Sequence, residues 1–405
     1  MSRFAAIGVF VCTLILVVIP AGCAKRSAHE PAAAPSALAE ARAIWVTRFE
    51  YRTADDVRRI IRNCADAGFN VVIFQVRGNG TAFYRSRLEP WAVELGGRDP
   101  GFDPLAVACD EARARRVQLH AWVNVMPAWR GTQPPVDERQ LYNRKPEWFW
   151  YDQEGKRQAL SSFYVSLNPC LPEVRQYLVE VFREIVAEYP VDGLHLDYIR
   201  FPSEPPASPR GGKTDYPRDA VTLAIYKAET GRAPDDDVAA WKLWRTECVT
   251  RTVADIRAMM RQVRPAAVLT AAVISVRENG LNRHQDAVRW VNDDLVDAAI
   301  LMNYTDDPAE FDRRIDPWLL ARQRGLVIPG LNVGRHANKP AEEAHAAIRR
   351  MMDIGVERTG TFAVFSYSAL FDRQERTEGG DADRDAQTRA ARREALLPVR
   401  RSAAP

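Results

Sequence analysis

The sequence predicts a closed (β/α)8 barrel, the TIM-barrel arrangement, in one domain with long loops on its carboxyl-end face. Three observations lead there. Eight short apolar runs alternate with helical patterns between residues 43 and 367. No G-x-G-x-x-G follows the first run, as a doubly wound nucleotide-binding sheet would carry. Polar residues gather where the runs end, and one barrel mouth would collect them all.

The first run is Ala43 to Arg48. Thr53 then reads as a helix N-cap, with Asp55 and Asp56 in the first turn and Gly68 as the stop. The second run, Asn70 to Arg77, puts Ile73, Gln75 and Arg77 on one face. Asp103-Pro104 opens a helix that ends near Arg116. The third run, Val117 to Val125, sets His120, Trp122 and Asn124 on one face. A long aromatic loop follows, with Trp129, Trp148 and Trp150, and then a helix from Pro172 to about Glu188.

The fourth run starts at Val191 and has an unusual parity. Leu194, Leu196 and Tyr198 share one face, while Gly193, His195 and Asp197 share the other. A polar column ending in an acid is what a barrel strand carries at its active end. A helical piece that ends over Tyr226 to Gly231 reads as an insertion beside the fourth run; a longer helix, capped by Asp235-Asp236-Asp237 and ending near Pro265, leads to the fifth run, Ala267 to Val276. The sixth, seventh and eighth runs are Val296 to Tyr304, Leu326 to Val333 and Gly360 to Tyr367. Helical patterns over 284–293, 308–324 and 340–354 lie between them. The strand ends present Arg48, Gln75, Arg77, Asn124, Asp197, Arg200, Arg277, Glu278, Asn303, Tyr304, Asn332 and Tyr367.

The amino terminus reads as an address. Arg3 precedes an apolar run from Phe4 to Ile19, followed by Pro20-Ala21-Gly22-Cys23. Ala21 and Gly22 before Cys23 resemble a bacterial lipobox, which makes Cys23 the expected site of lipidation. Pro20 departs from the usual leucine, so plain signal cleavage and an uncleaved anchor stay open. The run has 16 residues, against about 20 for a spanning helix. The expected organisation is a signal at 1–23, a tether rich in Ala, Pro and Ser at 24–40, a barrel at 41–375 and a charged helix and tail at 376–405. The expected location is the cell envelope, lipid-anchored to a bacterial membrane and facing the periplasm.

Composition narrows the function. Net charge is +3 over 405 residues, and arginines lie among acids on helical patterns, so nucleic-acid binding is not expected. Cys64, Cys109, Cys170 and Cys248 show no CxxC spacing. Neither a metal nor another cofactor is expected.

Six segments in order carry a family resemblance: Ala43-Ile44-Trp45-Val46-Thr47-Arg48, Phe74-Gln75-Val76-Arg77-Gly78, Tyr84-Arg85-Ser86 with Glu89-Pro90-Trp91, His120-Ala121-Trp122, Ser166-Leu167-Asn168-Pro169, and Asp192 through Pro202. Together they resemble the glycosyl-hydrolase-like 10 family over about residues 41–370. The resemblance implies a barrel glycosidase of the bacterial envelope, with peptidoglycan glycan as the leading substrate. The stretches Ser275-Val276-Arg277-Glu278-Asn279-Gly280 and Ala299-Ile300-Leu301-Met302-Asn303-Tyr304 depart from the family pattern.

Glycoside hydrolysis uses two carboxyl groups, about 5–5.5 Å apart for retention and roughly 6.5–9.5 Å for inversion. Asp197 is the first candidate, as nucleophile or general base; the bland reading makes it an ion-pair partner of Arg200, Arg77 or Arg48. Glu278 ranks first as its partner, then Asp306, then Glu204. Asp306 and Asp307 read equally as the acidic start of a helix. His195, one layer deeper, reads as an orienting group. The candidate substrate contacts are Arg48, Gln75, Arg77, His120, Trp122, Asn124, His195, Tyr198, Arg200, Asn303, Tyr304 and Tyr367. Trp122, Trp129, Trp148 and Trp150 are candidate sugar platforms or loop core. A carbohydrate-binding barrel without catalysis and a polysaccharide deacetylase are the alternatives.

Overall fold

A computed structural model of the protein describes residues 36–202, 215–371 and 382–396. The signal, Cys23, most of the tether and Glu204 lie outside them. The first half runs β1 (Arg42–Val46), α1 (Ala54–Asp66), β2 (Val71–Arg77), α2 (Pro104–Arg115), β3 (Gln118–Asn124), β4 (Pro127–Gly131), α3 (Leu141–Arg144), β5 (Ser161–Ser166) and α4 (Pro172–Glu188). Next come β6 (Gly193–Asp197), α5 (Ala220–Thr230), α6 (Val238–Val263), β7 (Val268–Ile274), α7 (Arg277–Leu281) and α8 (Ala287–Asn292). The chain continues through β8 (Ala298–Met302), α9 (Pro308–Arg313), α10 (Asp316–Ala321), β9 (Leu326–Asn332), α11 (Ala341–Thr359), β10 (Phe362–Phe365) and α12 (Ala382–Leu396).

Eight of these strands close a parallel barrel in the order β1-β10-β9-β8-β7-β6-β3-β2. Each predicted run supplies one barrel strand. Two strands are additional: β4 and β5 pair antiparallel within the aromatic loop and form a hairpin outside the barrel wall. The pattern read as one helix over 308–324 is two, α9 and α10. Pro317 explains the break, since it lies in the first turn of α10, where its missing N–H costs nothing.

Strand parity divides the core into two shells. Leu194, Leu196, Phe74 and Val123 face outward and pack in the larger apolar cluster between barrel and helices. Trp45, Ile73, Trp122, Ile300 and Ile328 fill the barrel interior as a separate cluster. Helix starts follow their caps. Thr53 accepts a hydrogen bond from Asp56 N–H while the Asp56 carboxylate returns to the Thr53 N–H, a complete capping box. Asp103 and Asp237 cap α2 and α6 more simply, each carboxylate accepting one hydrogen bond, from the Ala106 and Ala240 N–H groups.

Gly193, at the start of β6, is required by the interior. A Cβ there would lie 2.8 Å from the His120 ring and 2.9 Å from the Val268 side chain. Gly193→Ala is expected to lower stability by about 1–3 kcal/mol through overpacking. Urea unfolding checks this, and an unchanged midpoint would contradict it.

Candidate active site

The mouth is built around the carboxyl end of β6. Asp197 pairs in register with Asn124 of β3. Its Oδ1 accepts hydrogen bonds from the Tyr198 backbone N–H at 2.6 Å and from Arg200 at 3.2 Å. The residue is only 6% exposed. Burial raises its pKa above the ordinary carboxylate value, by more than Arg200, the Tyr198 N–H and the Trp122 indole together lower it. The Trp122 N–H, directed at this carboxylate, has no formed hydrogen bond among the described residues. Tyr304 lies close enough that the Asp197 charge, after burial, helps push its phenol pKa up.

Tyr198 follows with φ of 50°, in the left-handed region. This sparsely populated conformation ends the strand abruptly and redirects the chain beside the carboxylate. The Tyr198 ring meets Tyr164 of β5 at 5.2 Å, and the Arg200 guanidinium covers it at 4.5 Å. The hairpin β4–β5 thus reaches over to the end of β6.

On the other side of Asn124 runs a polar row. Gln75 donates to Asn124 Oδ1 at 3.2 Å and accepts from the Arg48 backbone N–H at 3.0 Å. The Arg48 guanidinium donates to Tyr164 Oη at 3.1 Å and to Glu94 Oε1 at 2.9 Å. The sequence reading missed Glu94 and Tyr164. Glu94 Oε2 is buried without a hydrogen bond among the described residues. A carboxylate brought in from the β2–α2 loop leaves no periodic signal; only Arg48, at a strand end, hinted that an acid would be needed nearby.

Below the mouth the interior is polar but sealed. The Trp45 indole donates to His195 Nε2 at 3.1 Å, which leaves that nitrogen unprotonated. The ring proton therefore sits on Nδ1 and is donated to Thr270 Oγ1 at 2.8 Å. Burial, and next the repulsion that His195 and His120 would suffer were both charged, holds the His195 pKa well below its usual value. His120 lies deeper still, in register with Gly193, and burial lowers its pKa from 6.5 to about 4. Both histidines are neutral core residues, and neither reaches a substrate at the mouth. The sequence assignment of substrate contacts to them is corrected accordingly.

These depressed values carry a pH dependence. The unfolded chain binds a proton at each histidine that the folded chain refuses, so this part of the stability is present above about 6.5. It is lost as the pH falls toward the folded value of about 4 for His120. His120 alone is expected to remove about 2 kcal/mol between pH 7 and pH 5. Denaturant titrations at the two pH values measure this. An equal slope in His120→Gln would refute the attribution.

Several other sequence candidates fall away from the mouth. Arg77 is fully buried, with its charge on Glu89 and its NH1 on the carbonyls of Asn124, Val125 and Pro127. A register shift between Gln75 and Arg77 takes it off the inner face that strict alternation predicts. Tyr367 lies beyond the end of β10, in a 3₁₀ turn, and accepts a hydrogen bond from Asn63 of α1 at 2.9 Å. Asn303 is fully buried and donates to the Phe311 carbonyl at 2.8 Å, fixing α9. Asp306 is a surface acid paired with Lys339 at 3.2 Å; hydrogen bonding to that lysine holds its carboxyl below the usual range, the wrong direction for a proton donor. Asp307 caps α9. Glu278 differs from these: it lies in the first turn of α7, directly after the carboxyl end of β7, exposed to solvent. Trp150 is buried, donates to the Leu167 carbonyl and packs on Phe201. The candidate contacts that do gather at the mouth are Arg48, Gln75, Trp122, Asn124, Tyr198, Arg200 and Tyr304.

The family model described as glycosyl hydrolase-like 10 matches residues 40–331, from just before β1 to the end of β9. The chain belongs to the glycosyl hydrolase-like 10 family. It is 25% identical over 250 residues to a protein named glycosyl hydrolase DigH from Escherichia coli strain K12, covering 57% of this chain and 53% of that one. It is 31% identical over 156 residues to glycosyl hydrolase YngK from Bacillus subtilis strain 168, covering 36% and 27%. The chain therefore spans about half the length of DigH and less of YngK. Among solved structures, alpha-L-fucosidase isoenzyme 2 from Paenibacillus thiaminolyticus superposes with a TM-score of 0.54 at 12% identity, covering 87% of this chain and 49% of that one. A GH36 alpha-galactosidase from Geobacillus stearothermophilus gives 0.50 at 12% identity, covering 88% and 42%. These two likenesses show the barrel fold.

Proposed function

We propose that the protein is a glycoside hydrolase of the cell envelope, exported and held by a lipid on Cys23, that acts on polysaccharide, with the glycan strands of peptidoglycan as the leading substrate. Asp197 carries this reading. It is a carboxyl at the barrel mouth, ion-paired, and its burial raises its pKa above the ordinary carboxylate value, the direction expected of a carboxyl tuned for proton chemistry. Arg48, Gln75, Asn124 and Tyr304 surround it with the donors and acceptors that sugar hydroxyls and acetamido groups take up. Family membership supports the reaction class, and the signal-like run before Cys23 supports the location. Two acids are candidates for the partner carboxylate: Glu278, on the segment after β7, and Glu94, held by Arg48.

The test is mass spectrometry of products from denuded peptidoglycan and a small polysaccharide panel, for the wild type and Asp197→Asn. Cleavage products from the wild type that vanish in the variant support the proposal. Equal products from both remove Asp197 from the mechanism. A non-catalytic carbohydrate-binding barrel is the second reading, favoured by the loss of Asp306 to Lys339. Binding of glycan without cleavage by either protein would establish it.

A further inference from the structure

The two oxygens of Asp197 are held unequally. Oδ1 accepts both the Tyr198 backbone N–H and the Arg200 guanidinium. Oδ2 accepts no hydrogen bond among the described residues, yet it is not sealed and keeps contact with the solvent of the mouth. The opposite case stands one layer below, on the neighbouring strand. Trp122 is in register with His195, and Asn124 with Asp197, so Trp122 and Asp197 are diagonal neighbours on the inner face of β3 and β6. The Trp122 indole nitrogen is buried and has no hydrogen-bond partner among the described residues. A buried donor left unpaired is costly and calls for an acceptor. The Asp197 carboxylate is within its reach. Packing fixes the direction of the indole, which stands edge-on to the His195 ring with centroids 6.4 Å apart and planes at 81°. His195 is itself held by Trp45 and Thr270.

We propose that Trp122 is the positioning residue of Asp197, its indole N–H closing on Oδ2 when the carboxyl is ionised and opening when Oδ2 carries the proton. A carboxylate oxygen accepts an N–H readily, whereas a protonated one turns a donor toward a donor. The proposal rests on the glycosidase reading only in making Asp197 the reacting group. It also names the reacting atom: with Oδ1 held by Tyr198 and Arg200, Oδ2 is the oxygen left to face a substrate, and Trp122 sets its angle. Other groups surround the carboxyl. Arg200 and Tyr198 follow it in the chain, with Tyr164 and then Arg48 behind Tyr198. Tyr304 stands near it after β8, Asn124 beside it on β3, and His195 beneath it. Burial pushes the phenols of Tyr198 and Tyr304 up and the histidine down. Asp197→Asn separates the titration of the carboxyl from whatever the histidine adds.

NMR of the full protein, with nitrogen-labelled tryptophan, reports the contact without any substrate. One indole resonance is expected to move downfield as Asp197 ionises, to lose that movement in Asp197→Asn, and to be absent from Trp122→Phe. The Asp197 carboxyl, followed by carbon NMR, is expected to titrate about one pH unit higher in Trp122→Phe than in wild type, because a hydrogen bond to the ionised form is gone. Where glycan is cleaved, the limb of the pH–activity profile set by Asp197 moves up by the same amount, a change that lost packing alone does not produce. No indole resonance that follows Asp197, or equal Asp197 titrations in wild type and Trp122→Phe, overturns the proposal. The indole titration needs only the wild type and Asp197→Asn, so it decides the matter if Trp122→Phe fails to fold. An indole that follows Asp197 in a protein that cleaves no polysaccharide upholds the positioning while ending the glycosidase reading.

Discussion

Glu89→Ala is expected to cost about 3–5 kcal/mol of stability, a large share of what a folded domain has to lose. Neither Arg77 nor Glu89 exposes any of its side chain. Arg77 Nε lies 3.0 and 2.9 Å from the two Glu89 oxygens, and Tyr177 adds a third donor at 3.3 Å. Burial alone would lower the arginine pKa, but the Glu89 charge and its hydrogen bonds reverse the shift. Removing the carboxylate therefore leaves a cation stranded in the protein interior. The damage would spread, because Arg77 also holds the Val125 and Pro127 carbonyls where the chain leaves β3 for the hairpin. Glu89→Gln keeps the shape but not the charge, and should cost less. Urea titrations of both variants give the comparison. Two variants equal to wild type would show that the pair has no net role.

Motifs that looked like function thus divide into two kinds. Tyr84-Arg85-Ser86 and Glu89 are scaffold: Ser86 Oγ donates to Glu184 at 2.6 Å, and Arg87 N–H donates to it at 2.7 Å, clamping the β2–α2 loop onto α4. The end of β6 belongs to the mouth. Alternation made that distinction for β6, where Leu194 and Leu196 point out while His195 and Asp197 point in, because its ladder is unbroken from Gly193. It failed at Arg77, where a bulge intervenes, and at Asn303 and Tyr367, where the strand had already ended at Met302 and Phe365. Face assignment extends only as far as the ladder does.

The hairpin was illegible for a different reason. Pro127-Ala128-Trp129-Arg130-Gly131 has no alternation, and its pairing with β5 shifts register twice. Tyr164 and Phe163 acquire their positions from that irregular pairing, so no local pattern announces them. The tryptophans attracted attention by size instead, and Trp150 is used in the core. Glu94 was hidden by the same logic, since its place at the mouth depends on the reach of Arg48 from a distant strand.

Asp197→Asn should separate activity from stability. In the proposed mechanism the variant loses about a thousandfold or more in kcat, the scale of a positioned proton-transfer or nucleophilic carboxyl. The fold should not suffer. Asparagine keeps an oxygen for the Tyr198 N–H and for Arg200. The sign of the electrostatics points the same way. Burial dominates and raises the folded pKa of Asp197, so its ionised form is worse accommodated in the folded protein than in the unfolded chain. Replacing it with a neutral isostere should leave the melting temperature unchanged or higher, the trade expected of a residue kept for chemistry. The pH profile then assigns the role. If the ionised form is required, as for a base or nucleophile, wild-type activity falls as the pH drops through a pKa above the ordinary aspartate value. If the protonated form is required, activity falls as the pH rises through it. Aryl glycosides with good leaving groups would restore the variant only in the second case, since they dispense with a proton donor. A variant that melts early as well as losing activity would mark Asp197 as the structural partner of Arg200 instead.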